Sequence, residues 1–250
     1  MALEFYVMWQ GDDPVLPRII GNVFSTIERI GGRRIPRKMI GPGPWNARTH
    51  NSLQWYVDRA TDPSRGQVDC SQLWSLFADE PWQQRRHYEF IVLEDDLFFP
   101  STNFVYGQTR RKVTSDAKLV ADTSSRGHKN VTGCIQSVHR HKVRYGAQWP
   151  RATRAVLIHE LGHFFGLPSS DHRNYLGPGD LRVGNELEIG HCDDRRCIME
   201  QVNVEGRPDL LLKAKYLEKV NPDLFCEADK AALRSNLQRF YRPRVLVRRR

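Results

Sequence analysis

The chain has 250 residues, of which 40% are hydrophobic and 10% aromatic, and its formal net charge at pH 7 is +9. This composition is sufficient for one substantial hydrophobic core and excludes a disordered chain. No apolar run approaches the roughly 18 residues of a membrane span, and the first residues have neither a basic start nor a small-residue cleavage site. We therefore expect a cytoplasmic protein that makes no contact with a membrane.

The basic residues bear on which partners the protein binds, and the cysteines bear on whether it contains disulfides. Basic residues cluster in "GGRRIPRK" and in the C-terminal "RPRVLVRRR", but no nucleic-acid-binding motif accompanies them. A solvated basic surface is therefore favoured over specific nucleic-acid binding, and we expect a monomer. Five cysteines, an odd number without a secretory signal, argue against a disulfide framework and favour metal binding or buried thiols.

The first two thirds of the chain alternate between strand and helix patterns. Alternating or β-rich runs predict strands at Leu3 to Trp9, Tyr88 to Leu93, Asn103 to Tyr106 and Lys118 to Ala121. Apolar residues spaced by three and four predict helices through Ile20 to Ile30 and through Leu53 to Ala60, the second after the capping candidates Asn51 and Ser52. Residues 1–167 are thus predicted to form a β/α lobe.

The sequence pattern changes at Pro168. Turn residues with little sustained periodicity continue to about Val220, and helical spacing resumes from Ala228 to Tyr241. We predict a loop-rich C-terminal lobe, residues 168–250, that ends in a helix at about residues 227–242. The fold class is α+β or α/β, and the two lobes form one domain.

The segment "RATRAVLIHELGHFFG" follows Pro150 and predicts a helix over about residues 151–165, ended by Gly166. Residues four apart lie on one helix face, so His159 and His163 can bind one zinc ion, while Glu160 is rotated about a quarter turn away. Glu160 can then accept a proton from a metal-bound water, whose pKa zinc lowers to about 7, and pass it to a leaving amine. The pattern indicates a zinc metallopeptidase.

A second motif lies downstream, in "GHCDDRRCIM", Gly190 to Met199. A histidine followed by Cys-x4-Cys-x-Met after an HExxHxxG helix resembles the archaemetzincins, metallopeptidases of the metzincin clan. The segments "PWNARTHNSLQWY" and "EDDLFFPSTNFVYGQ" are also similar to that family, so the resemblance covers about Trp45 to Cys226.

The resemblance implies a metzincin-like fold, with a twisted mixed sheet, backing helices and the zinc helix under a cleft. It implies that Met199 forms a Met-turn beneath the metal in the smaller lobe. It further implies that a peptide or unfolded-protein substrate adds to an edge strand, for which the Lys118 to Ala121 region is the candidate.

One departure concerns the third zinc ligand, because Ser169 stands where the HExxHxxGxxH pattern has a histidine. His172 and His191 compete for this role. His191 is favoured, since it carries the Cys-Met pattern with it and an insertion of about 22 residues costs little loop-closure entropy. Residues 168–190 are then a loop over or beside the cleft, and His172 is expected to be a solvent-facing or loop histidine.

The other departure concerns a second, structural zinc, which the family binds with four cysteines. This chain retains Cys192, Cys197 and Cys226, and Asp229 stands where the closing CxxC has its last cysteine. Asp229 is an acceptable zinc ligand by its chemistry. Recruitment of Cys134 or Cys70, and a weakened or absent second site, are the alternatives.

Two other functions stay open at this point. In a different zincin group, Glu186 or Glu188 of "GNELE" would be the third ligand, although this leaves Gly166 and the Cys-Met cluster without a role. In a non-catalytic alternative, zinc stabilises a binding module whose cleft the inserted loop blocks.

Overall fold

The computed structural model describes residues 4–43, 52–78, 80, 87–99, 106–110, 132–169, 171–176, 190–202 and 209–241. The strands are β1 (Phe5–Trp9), β2 (Arg37–Met39), β3 (Thr61–Asp62), β4 (Gln67–Asp69), β5 (Tyr88–Leu93), β6 (Leu97–Phe98), β7 (Gly107–Arg110), β8 (Gly133–Ser137), β9 (Tyr175–Leu176) and β10 (His191–Cys192). The helices are α1 (Val15–Gly31), α2 (Leu53–Ala60), α3 (Cys70–Ala78), α4 (His139–Tyr145), α5 (Trp149–Phe164), α6 (Leu210–Val220) and α7 (Glu227–Phe240).

The main sheet has five strands in the order β2-β1-β5-β8-β7. All neighbours are parallel except β7, which runs antiparallel to β8. Every residue of β5 is buried, which explains why its sequence "YEFIVL" is apolar almost throughout rather than alternating. β1 and β5 confirm two predicted strands. β7 begins one residue after the predicted strand at residues 103–106, and residues 118–121 lie outside the described residues.

Helices cover both faces of this sheet. One core joins α1, α5 and α7 to β1 and β5, and the other joins α2 and α3 to the opposite face. The predicted N-terminal helices are confirmed, and the side chain of Ser52 caps α2 by accepting a hydrogen bond from the Trp55 amide at 3.3 Å. No helix in the described part of the chain is long and apolar enough to cross a membrane.

The C-terminal residues share the main core. In α7, Leu233 and Leu237 are fully buried, and the Arg234 Nε donates to the Ile30 carbonyl at 3.1 Å, so this helix packs on α1. α7 ends at Phe240, close to the predicted boundary. The two predicted lobes are therefore joined by one continuous hydrophobic core.

The helix α6 corrects the prediction of a loop-rich stretch up to Val220. Its buried residues, Leu210, Lys213, Ala214 and Leu217, follow helical spacing. One of these positions is a lysine, which is buried because its ammonium donates to the carboxylate of Glu200. A charged residue on the buried face conceals the apolar period on which a sequence-based prediction depends.

Candidate metal centres

The helix α5 presents the HExxH residues to a cleft beside the sheet. Its C-terminus follows the prediction, since Gly166 has a φ of 89° and its amide donates to the His163 carbonyl at 2.9 Å. His163 is buried, whereas His159 and Glu160 are half-buried. The ring centroids of His159 and His163 lie 4.5 Å apart, so one helix face directs both imidazoles to the same point.

His191 joins them from β10. Its ring centroid is 5.4 Å from that of His159 and 5.2 Å from that of His163. One ring nitrogen from each histidine lies within 4.8 Å of the others. β10 is held in register by β9, where His191 pairs with Leu176. Three imidazoles, two from α5 and one from β10, thus converge on one point.

The hydrogen bonds of the helical histidines determine which nitrogen is available to a metal. His159 Nδ1 lies 2.8 Å from the Ile198 carbonyl oxygen, and His163 Nδ1 lies 2.8 Å from the Leu167 carbonyl oxygen. A carbonyl only accepts, so each Nδ1 carries the proton and each Nε2 keeps its lone pair. Donation of Nδ1–H to a backbone carbonyl is typical of zinc-ligating histidines, and the donor set fits zinc.

Glu160 lies beside the three imidazoles at a cavity of about 190 Å³. One carboxylate oxygen, Oε2, accepts a hydrogen bond from the Thr109 hydroxyl on β7 at 2.8 Å. The cavity is also lined by the apolar side chains of Val156, Ile198 and Val202. The Glu160 carboxylate, three imidazoles and an apolar recess therefore share one cleft.

Met199 lies beneath the zinc helix and is fully buried. A Cβ atom on Gly162 would lie only 2.6 Å from Met199 Sδ, so the absence of a side chain at Gly162 lets Met199 approach the helix. The Met199 carbonyl accepts from the Cys192 amide at 2.9 Å, and the preceding carbonyl, of Ile198, accepts from His159. Ile198 and Met199 thus contact two of the segments that carry the histidines.

A second cluster of potential ligands lies behind the first. The thiol of Cys197 donates to Asp229 Oδ2 at 3.0 Å, and the thiol of Cys226 is 3.5 Å from the same oxygen. Ligand atoms of Cys192, Cys226, Asp229 and His172 all lie within 4.8 Å of one another. The other carboxylate oxygen, Asp229 Oδ1, is buried without a hydrogen-bond partner among the described residues. These donors fit a zinc ion.

His172 corrects the expectation of a solvent-facing histidine. It lies in a loop, but its side chain is only 1% exposed and its Nε2 is 3.2 Å from Cys226 Sγ. Its Nδ1 accepts a hydrogen bond from the Asn174 amide at 2.9 Å, so in the neutral ring the proton is on Nε2. His172 therefore donates to the Cys226 sulfur, unlike His159 and His163, whose protons are on Nδ1.

Burial disfavours the ionised forms of the acidic side chains in this second cluster unless a cation is bound there. It raises the pKa of the Cys197 thiol well above its ordinary value and raises that of Asp229 to about 7. Hydrogen bonds from Cys192 and Cys197 lower the pKa of Cys226. Only one of these groups is thus readily ionised, and a divalent cation would stabilise the others in their anionic forms.

Cys134 and Cys70, the alternative ligands for the second zinc, lie outside the second cluster. Cys134 is on β8, where its Sγ is 3.6 Å from Thr109 Oγ1, and Cys70 packs in the core on the opposite face of the sheet. Neither lies with the second cluster, so the described residues give no support to the alternative in which one of them is recruited. Glu186 and Glu188 lie outside the described residues.

Sequence reasoning did not find Thr109, and it considered His172 as a third-ligand candidate but not as a buried residue of the second cluster. Both lie far along the chain from the groups that they contact, and neither belongs to a spacing pattern. For His172 the only available signal was its position three residues after Ser169, within reach of the zinc helix.

Comparisons with known proteins bear on the fold. No protein-family model matches the chain, and no curated protein matches its sequence. Among solved structures, the archaemetzincin from Methanopyrus kandleri is 19% identical, with a TM-score of 0.55 over 95% of this chain and 96% of that one. The chain has the archaemetzincin fold. A zinc-dependent peptidase from Methanocorpusculum labreanum is 18% identical, with a TM-score of 0.50 over 92% of this chain and 99% of that one.

The archaemetzincin fold confirms the predicted class, a mixed sheet with helices on both faces. Residues 171–176 run past the second cluster at His172 and end in β9, which pairs with β10. This segment is therefore attached to the fold near both clusters.

Proposed function

We propose that the protein is a zinc metallopeptidase that hydrolyses peptide bonds. The observation that carries this proposal is the convergence of the His159, His163 and His191 nitrogens beside the Glu160 carboxylate at an open recess. Three neutral imidazoles leave a fourth position free for water and substrate, which is typical of catalytic zinc sites. The two structural neighbours with this fold, an archaemetzincin and a zinc-dependent peptidase, agree with this function.

The side chains of the cleft have distinct roles in this mechanism. When bound, zinc would polarise the peptide carbonyl and lower the pKa of water to about 7. Glu160 would act as the general base, accepting a proton from the attacking water at its Oε1 oxygen, since Oε2 is hydrogen-bonded to Thr109. Glu160 would then deliver that proton to the leaving amine, which completes cleavage of the C–N bond.

The cleft supports a peptide or unfolded protein as the substrate class. Val156, Ile198, Val202 and Leu210 line the recess of about 190 Å³ beside Glu160. A recess of this size and lining suits one apolar side chain next to the scissile bond. The cytoplasmic location, the monomeric state and the absence of specific nucleic-acid binding remain predictions from composition.

Replacement of the general base tests the activity. We expect Glu160→Ala to lower the rate of peptide hydrolysis by about 100- to 10,000-fold, the usual contribution of a general base, with zinc content unchanged. Digestion of a peptide library by zinc-replete wild type and variant measures this. Equal digestion by both proteins would contradict the proposal and favour a zinc-stabilised binding module.

The assignment of His191 as the third zinc ligand can be tested against a control variant. We propose His191 as the third ligand, so His191→Ala should lose the catalytic zinc while His172→Ala retains it. His172 is a matched control, since both histidines follow the zinc helix and His172 is the more buried of the two. Metal analysis after gel filtration and peptide hydrolysis together separate the outcomes, because His172→Ala can change the zinc content of the second cluster but should retain hydrolysis. Retention of catalytic zinc by His191→Ala together with its loss from His172→Ala would reverse the assignment and reopen the possibility of a glutamate ligand.

We also propose a second zinc on Cys192, Cys197, Cys226 and Asp229, with His172 donating a hydrogen bond to Cys226. Its support is the buried donor set and the lone Oδ1 of Asp229, among the described residues. Cys197→Ser should lower the zinc content from two ions per chain to one. Cys70→Ser, at a buried cysteine outside the cluster, is the matched control. One zinc in the wild type, unchanged in a folded Cys197→Ser protein, would rule the second site out.

A further inference from the structure

We infer that Thr109, on the edge of the described sheet, is a positioning residue that orients the Glu160 carboxylate for its role as general base. The inference rests on the proposed peptidase function. It adds a residue that belongs to neither histidine motif and is 51 positions away from Glu160 along the chain.

The register of the sheet brings Thr109 to the zinc helix. β7 pairs antiparallel with β8, and Thr109 is opposite Cys134. Both side chains point to the face that α5 covers, since Cys134 Sγ lies 3.9 Å from the Glu160 carbonyl oxygen. Thr109 is half-buried, so its hydroxyl faces the helix rather than bulk solvent.

The Thr109 hydroxyl has one proton to donate, and three of the described atoms lie close enough to be considered as its acceptor. Thr109 Oγ1 lies 2.8 Å from Glu160 Oε2, 3.3 Å from the Glu160 carbonyl oxygen and 3.6 Å from Cys134 Sγ. The carboxylate contact is the shortest, and a charged acceptor forms the stronger hydrogen bond. The proton therefore goes to Oε2. The carbonyl oxygen only accepts and then receives no hydrogen bond from Thr109, whereas the Cys134 thiol can donate weakly to the Thr109 oxygen.

This hydrogen bond restrains an otherwise mobile side chain. Among the described residues, Thr109 supplies the only hydrogen bond to the Glu160 carboxylate. A glutamate side chain has three rotatable bonds, and a general base must stay within hydrogen-bond reach of the water that it deprotonates. Fixing Oε2 at the sheet leaves Oε1 directed into the cleft, and a misplacement of about 1 Å can cost about 100-fold in rate.

Two variants of Thr109 separate orientation from packing. Thr109→Val keeps the size and β-branching of the side chain but removes the hydroxyl, whereas Thr109→Ser keeps the hydroxyl. We expect Thr109→Val to lower kcat by about 10- to 100-fold, with KM and zinc content unchanged, and Thr109→Ser to restore most of the loss. Steady-state kinetics on a fluorogenic peptide and metal analysis measure these quantities.

A double-mutant cycle gives a readout that a merely structural role would not move. In the Glu160→Ala background, Thr109→Val should cause no further fall in residual activity, because its partner is absent. The same cycle measured by urea unfolding should show coupling between the two substitutions. Wild-type kcat in Thr109→Val, or an equal fall in both backgrounds, would overturn the inference.

If the proposed peptidase function is wrong, the kinetic and unfolding experiments give a different set of results. If the zinc-replete wild type hydrolyses no peptide, the peptidase proposal is wrong, and the unfolding cycle alone decides on the contact. Coupling between Thr109→Val and Glu160→Ala would then still support orientation of the carboxylate by Thr109, and strict additivity would refute it.

Discussion

The contact between the zinc helix and the Met-turn gives a prediction that can be made quantitative. Gly162 lies within α5 between two histidines, and a Cβ atom there would lie 2.6 Å from Met199 Sδ, 3.3 Å from Met199 Cε and 3.5 Å from Phe225 Cε1. Gly21, in the middle of α1, has no atom within 4 Å of the corresponding position. Alanine at Gly162 therefore meets a filled space, and alanine at Gly21 meets an open one.

The expected free energies of unfolding follow from two opposing effects. Alanine favours a helix over glycine by about 1 kcal/mol, so Gly21→Ala should stabilise the protein by about that amount. At Gly162 the same gain is opposed by overpacking, because Met199 must retreat by about 1 Å to reach an ordinary contact of roughly 3.5–4 Å. Such overpacking costs about 1–3 kcal/mol, so Gly162→Ala should be neutral or destabilised by up to about 2 kcal/mol.

Urea unfolding of the two single variants measures the difference, which should be about 1–3 kcal/mol between Gly162→Ala and Gly21→Ala. Repeating Gly162→Ala in a Met199→Ala background tests the cause, since the penalty should disappear when the sulfur is removed. If Gly162→Ala stabilises the protein as much as Gly21→Ala does, Met199 does not pack against the zinc helix.

Three further predictions concern the rest of the core. A Cβ atom at Gly31 would overlap Leu237 Cδ1 where α1 meets α7, so Gly31→Ala should destabilise by about 1–3 kcal/mol in urea unfolding, and a gain would place α7 elsewhere. Lys213→Met removes the ammonium that forms an ion pair with the buried Glu200 carboxylate and should cost about 3–5 kcal/mol, whereas replacing both residues by apolar ones should recover most of the loss. Burial lowers the pKa of His141 from 6.5 to about 4, so the folded state favours the neutral imidazole. The stability that this histidine contributes is therefore present above pH 6.5. It should fall by up to about 3 kcal/mol as the pH drops toward 4. Unfolding measured at pH 7 and pH 5 should show a smaller difference in His141→Phe than in the wild type; equal differences would mean that this histidine is not the titrating group.

Local periodicity made several elements predictable. The apolar spacing of α1 and α2 and the continuous apolar run of β5 report burial directly, because each repeats at the period of its own backbone. The relation between His159, Glu160 and His163 is equally local, since a four-residue separation on a helix brings the two imidazoles to one face whatever the rest of the chain does. The zinc helix and the chemistry of its residues could therefore be proposed from the sequence alone.

Periodicity reports that a face is buried but not which residues it meets. Lys213 interrupts the apolar pattern of α6, and only its distant partner, Glu200, explains how it is buried. The same limit applies to His172, whose burial depends on Cys226, and to Thr109, which reaches Glu160 through the register of β7 on β8. These contacts join residues that are far apart in the chain, and their energies depend on distances of a few ångströms that only the packed tertiary structure determines.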